Sequence, residues 1–240
     1  MGNYLLCRRK PADIPFYIET IHLNVYTIEE LCYFLGNNPA LADEVMQEPT
    51  LEVWLKNECG ITANGLYDLF VKSRYFSENE LRKLKVRIDA LKLMSEVELK
   101  KQKGDALIRF GKYKRAAELY EEALAMPQIK DRPTYFTASV YNNMGCAYAR
   151  LFLREKAKEC FKKAHITDPS AVFFKAYLKS IYFDGGRGAL EDFEKKMEIL
   201  ADRCDEIFRE ISSLKTDIEP DDIDEKLTEW IQEYHSSVDQ

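Results

Sequence analysis

The spacing of small and aromatic residues between Gly104 and Pro169 constrains this chain more than any other feature. From Gly104, the positions at +12, +16 and +19 hold Ala116, Tyr120 and Ala123; from Gly145 the same offsets hold Ala157, Phe161 and Ala164. Steps of three and four keep side chains on one face of an α-helix. Small side chains on that face let two helix axes approach, and an aromatic ring between them fills the adjoining space. The spacing therefore predicts two helical hairpins in one register. Gly111, just before Tyr113, is expected to turn the first hairpin with a positive φ. Tyr141 and Tyr148 flank Gly145, and Pro169 closes the second hairpin because proline cannot continue a helix. Gly104 and Ala116 are expected to seat the helices of one hairpin together, and Ala123 and Gly145 to do so between hairpins.

Composition agrees. Glycine and proline are scarce, at 10 and 8 of 240 residues, which disfavours a many-turned β fold. Residues of the hydrophobic class make up 46% of the chain, enough for a core without disulfides or metal. The six cysteines form no Cys-x-x-Cys pair and, with three histidines, no zinc-ligand spacing, so they read as reduced small hydrophobes. The expected class is all-α.

This pattern resembles the tetratricopeptide repeat, a unit of about 34 residues. One copy spans 97–130, a second 138–171, and a degenerate third runs from 172 through 188 and onward. The first copy has Lys100 where an early aromatic is expected. The second has Phe152 where the turn glycine is expected. The two leading glycines lie 41 positions apart, so the stretch "AMPQIKDRPTYFT" either lengthens a helix or adds loop. The resemblance implies antiparallel hairpins stacked as a short right-handed superhelix whose first helices line a concave groove. Members that clamp a peptide's terminal carboxylate use Lys and Asn there. The matching positions hold Lys101 and Asn143, but Asp105 stands where Asn is expected. Asn142, Cys146, Arg150 and Lys175 complete the groove candidates.

The flanks read as helices. Residues 1–96 match no recognised family. Thr27 and Glu30, and again Ser77 and Glu80, form capping boxes. The first of these helices is expected to stop at Gly36, and Asn38-Pro39 to cap the next. Between Ser77 and Gly104 no helix breaker occurs, so the segment is one long helix or two with a kink. "PFYIETIHLNVY" is β-prone. Residues 189–240 carry a heptad stripe, Leu190, Phe193, Met197, Leu200, Cys204, Ile207, Ile211 and Leu214, followed by an acidic helix. The stripe either covers the last repeat or forms a dimer seam.

Charge is uneven: residues 1–95 carry −2, 96–183 carry +7 and 184–240 carry −11. A basic middle suits an acidic partner or the chain's own tail. Enzyme signatures fail on spacing. Gly111-Lys112 lacks the preceding glycine spacing and the following Ser or Thr of a phosphate loop, and "FDGGRG" follows no strand. No catalytic residue, metal site or cofactor is expected, and nucleic acid is disfavoured by a pI near 5.3. The N-terminus lacks signal-peptide and myristoylation patterns, and no apolar run reaches membrane-spanning length. The expectation is a cytoplasmic, non-catalytic adaptor for a protein or peptide. The alternatives are a self-assembling scaffold joined by the heptad stripe and a module whose acidic tail masks the groove.

Overall fold

The structure is a computed structural model that describes residues 9–197, 205–207, 209–210 and 213. The chain divides into two compact units, residues 1–180 and 181–240. Apart from one small hairpin the described elements are helical.

The first unit opens with β1 (Phe16–Ile18) and β2 (Leu23–Val25), paired antiparallel with Phe16 opposite Val25. Phe16 and Ile18 are buried and Tyr17 between them is exposed, the alternation of a half-buried strand. Helix α1 (Ile28–Asn37) starts at the Thr27–Glu30 capping box. It runs through Gly36 and does not stop there. A Cβ on Gly36 would lie 3.1 Å from the Phe76 ring, so this glycine admits a ring and does not end the helix. Asn38 takes the N-cap position of the following 3-10 turn (Pro39–Leu41), with Pro39 first in it, but its side chain makes no capping bond; its amide donates back to the Phe34 carbonyl at 2.9 Å. Helices α2 (Ala42–Met46), α3 (Pro49–Asn57) and α4 (Leu66–Ser73) follow.

Between α5 (Glu78–Lys92) and α6 (Glu96–Arg109) the chain breaks at Leu93–Ser95. A third capping box makes the break: Ser95 Oγ accepts from the Glu98 amide at 3.3 Å and Glu98 Oε2 accepts from the Ser95 amide at 2.9 Å. Of the two alternatives the spacing left open, the chain takes the second, with two helices each carrying its own cap.

Helices α6 and α7 (Tyr113–Ala125) form the first hairpin, and α8 (Thr134–Arg150) and α9 (Arg154–Thr167) the second. The extra residues between them do both things the spacing allowed: a 3-10 turn over Pro127–Asp131, then a long α8. Gly111 turns the first hairpin at φ +70°; Phe152 does the same job at φ +60°. A Cβ on Gly104 would sit 2.7 Å from the Tyr120 ring, and one on Gly145 2.9 Å from the Phe161 ring. Each ring thus fills the notch left by the glycine of its own hairpin. Gly145 makes this contact inside the second hairpin, not between hairpins as the spacing suggested. Ala116, Ala123, Ala157 and Ala164 are buried at 3% exposure or less, leaving room for this approach.

One hydrophobic core runs from Phe16 through Leu35, Phe70, Leu107 and Tyr120 to Tyr148 and Phe161. Ala138, Ala164 and Phe173 form a second cluster, against which Tyr141 packs. Pro169 follows the end of α9. Helix α10 (Ala171–Met197) is interrupted at Gly186, where φ is +70°. In the second unit Leu190 and Ile207 are buried in the single chain. Leu200, Cys204, Ile211 and Leu214 of the heptad stripe, and the acidic segment 216–240, lie outside the described residues.

Candidate peptide-binding groove

The candidate site lies on α6 and α8, the first helices of the two hairpins. Asp105, on α6, organises it. Its Oδ1 accepts from the Tyr120 hydroxyl at 2.6 Å and from Asn143 Nδ2 at 2.8 Å; its Oδ2 accepts from Lys101 Nζ at 2.7 Å. Asn142 Nδ2 in turn donates to Asn143 Oδ1 at 3.3 Å. Four of the sequence-derived candidates therefore form one hydrogen-bonded chain that ties the hairpins together.

This explains the departure at position 105. An asparagine offers one acceptor oxygen and a donating NH2, whereas a carboxylate offers two acceptor oxygens. Three donors converge here, and only the carboxylate accepts them all. Burial and the Asp105 carboxylate push the Tyr120 phenol far above its usual range, so it stays a donor. The arrangement has a cost for the clamp chemistry. Lys101 is already neutralised by Asp105, and its side chain is mostly buried. A lysine so engaged is not poised to hold a ligand carboxylate.

Cys146 and Arg150 lie one and two turns beyond Asn142 on the same face of α8, and both are exposed. Arg150 has no ion-pair partner among the described residues. Lys175, on α10, is half-buried and belongs to no bond of the Asp105 chain described above.

The N-terminal region adds a wall that spacing did not foretell. A cleft of about 430 Å³ opens between the end of α1 with its 3-10 turn, α5 and α6. Asn37, Asn38 and Arg87 face it from the N-terminal side, and Gln102, Asp105 and Arg109 from α6, over an apolar floor that includes Leu91 and Met94. Arg109 Nη2 donates to Asn38 Oδ1 at 3.1 Å, and Lys103 Nζ pairs with Glu44 Oε1 at 2.8 Å. The Phe34 and Phe110 rings pack with centroids 5.5 Å apart. Arg109 lies four residues beyond Asp105, so helical spacing alone could have placed it on this face. Asn38 and Arg87 carried no such signal.

No group of three or more His, Cys, Asp or Glu among the described residues could hold a metal ion. The buried thiols are held protonated: burial raises Cys32 to about 12 and Cys160 to about 11. No helix among the described residues is long and apolar enough to cross a membrane.

Residues 138–164, which run from α8 through the turn into α9, match the family model described as tetratricopeptide repeat. This repeat is ordinarily a protein-interaction element and not a catalytic one. No curated protein matches the chain.

Proposed function

We propose that this protein is a cytoplasmic, non-catalytic adaptor that captures a segment of a partner protein on the α6–α8 face. The observation that carries the reading is the Asp105 chain: five polar side chains from two hairpins, Lys101, Asp105, Tyr120, Asn142 and Asn143, are held in fixed positions by one another. Groups locked in this way lose little further freedom on binding. The cleft beside them adds apolar floor and the guanidinium groups of Arg87 and Arg109. The preferred segment carries hydrogen-bonding groups for Asn142 and Asn143 and an acidic or carbonyl-rich stretch for the two arginines. Recognition of a terminal carboxylate through Lys101 is not part of the reading, because Asp105 occupies that lysine. We read the two described, buried positions of the stripe, Leu190 and Ile207, as part of an intrachain face.

The test is affinity capture with mass spectrometry, comparing the full chain with Asn142→Ala and with Arg87→Glu/Arg109→Glu. All three positions are half-buried or exposed, so circular dichroism should show an unchanged fold. A partner held by the parent chain and lost, by at least about tenfold, from both variants supports the groove. The same partners retained at full strength on both variants overturn it.

A further inference from the structure

A second groove lies away from the α6–α8 face, between the outer edge of β1 and helix α3. It measures about 520 Å³, and Ile14, Tyr17, Val53 and Trp54 supply its apolar surface. Ile14, Tyr17 and Val53 are 67%, 45% and 58% exposed, so three large apolar side chains share one concave surface and remain open to water. Isolated apolar residues on a surface are ordinary, but a contiguous group in a groove marks an interaction site. Trp54 is buried, its indole N–H donating to the Ile14 carbonyl at 2.8 Å, and its ring lies 5.7 Å from that of Phe16. The floor is therefore rigid.

The strand edge gives the groove its second property. The sheet has only β1 and β2, and β2 contributes nothing to the lining. The outer edge of β1 has no strand neighbour among the described residues. Exposed strand edges are templates for an added strand, with main-chain hydrogen bonds supplying affinity and side-chain pockets supplying specificity.

Charge gives the third. Glu19, Glu48 and Glu58 line the groove and no lysine or arginine does. Glu58 is engaged by the Asp13 amide at 3.1 Å, while neighbouring Glu44 is paired with Lys103. Neither Glu19 nor Glu48 has an ion-pair partner among the described residues. Partial burial, with Glu19 and Glu44 nearby, raises the Glu48 carboxyl above its ordinary value. An arriving cation would relieve that crowding.

We propose that this groove receives an extended segment of a partner protein that alternates apolar and basic residues, adds to the outer edge of β1 as a third strand, and sets a lysine or arginine beside Glu19 and Glu48. The inference is independent of the α6–α8 reading and would survive its failure. The occupant is basic because the lining is acidic, extended because a strand edge is what it meets, and partly apolar because the floor is.

Trp54 supplies the readout in a Trp230→Phe background, which leaves it the only tryptophan. The probe is a soluble seven-residue peptide, acetyl-Thr-Val-Lys-Val-Lys-Val-Thr-amide, titrated to about 1 mM, a range that registers weak segment binding. The expected result is a saturable change in Trp54 emission. The analogue with glutamate for lysine should bind at least about tenfold more weakly, and Glu48→Lys or Glu19→Lys should reverse that preference. N-methylation of alternate amides should abolish binding in one phase and spare it in the other, because only one phase faces β1. No response, equal binding of both charge types, or insensitivity to N-methylation in both phases would each overturn the proposal. A dimer in the absence of peptide that Glu48→Lys dissolves would overturn it in favour of a second copy of the chain as occupant.

Discussion

Asp105 illustrates how one side chain can set the chemistry of a whole helix face. Its carboxylate is committed to Lys101, Tyr120 and Asn143. Asp105→Asn removes one acceptor and adds a donor, leaving at least one of those donors without a partner. The expected loss is about 1–3 kcal/mol, the cost of an unsatisfied or formerly charge-assisted hydrogen bond. Chemical denaturation followed by circular dichroism measures it; an unchanged midpoint would mean the network contributes little. Spacing placed Lys101, Asp105 and Asn143 on the correct helices and marked position 105 as unusual. It could not reveal that the three meet, because the Asp105–Asn143 bond spans 38 positions and depends on how the hairpins stack.

At the scale of elements, the α8–α9 turn is a strained joint. Phe152 holds φ +60° with its ring 83% exposed, so it has neither a favourable backbone nor much burial to compensate. A left-handed conformation costs a side-chain-bearing residue roughly 1–2 kcal/mol. Glycine removes that cost but gives back part of the gain through its freer unfolded chain. Phe152→Gly should therefore raise stability by about 0.5–1 kcal/mol, read as a shift to higher denaturant midpoint. A lower midpoint would show that the ring makes stabilising contacts after all. Most element boundaries were legible because their signals are local. The Thr27–Glu30 and Ser77–Glu80 boxes, and the notch glycines at 104 and 145, lie within a turn or a hairpin of what they act on. The Ser95–Glu98 box is written in the same code, but the helical pattern runs on past it without glycine or proline and hides the break. Gly36 was misread for the opposite reason: glycine is a common helix stop, and nothing local announces Phe76 beside it.

At the scale of the molecule, the first unit unfolds as one body if its continuous core governs stability. Leu107 lies on α6 and is 1% exposed, whereas Trp54 lies on α3 in the N-terminal region. Leu107→Ala should cost about 2–5 kcal/mol, and in the Trp230→Phe background the Trp54 fluorescence midpoint should fall with the helical signal. If the Trp54 transition stays where it was, the N-terminal region folds separately from the two hairpins. The shared core also explains why the wall of the cleft was illegible: its residues are recruited by tertiary packing, and local periodicity carries no record of a partner far along the chain.

The bonds that dock this wall have a temporal side as well. Arg109 reaches Asn38 across 71 positions, and Lys103 reaches Glu44 across 59. In a plain repeat array each unit rests on its immediate neighbours and can assemble as it is made. Here the N-terminal helices are synthesised first and must wait for α6 before the packing face of their 3-10 turn is covered. During translation that face is exposed while some sixty further residues emerge, a few seconds at ordinary elongation rates. The nascent chain thus passes through an interval in which this face is open to water, and the cleft it walls exists only once α6 has been made.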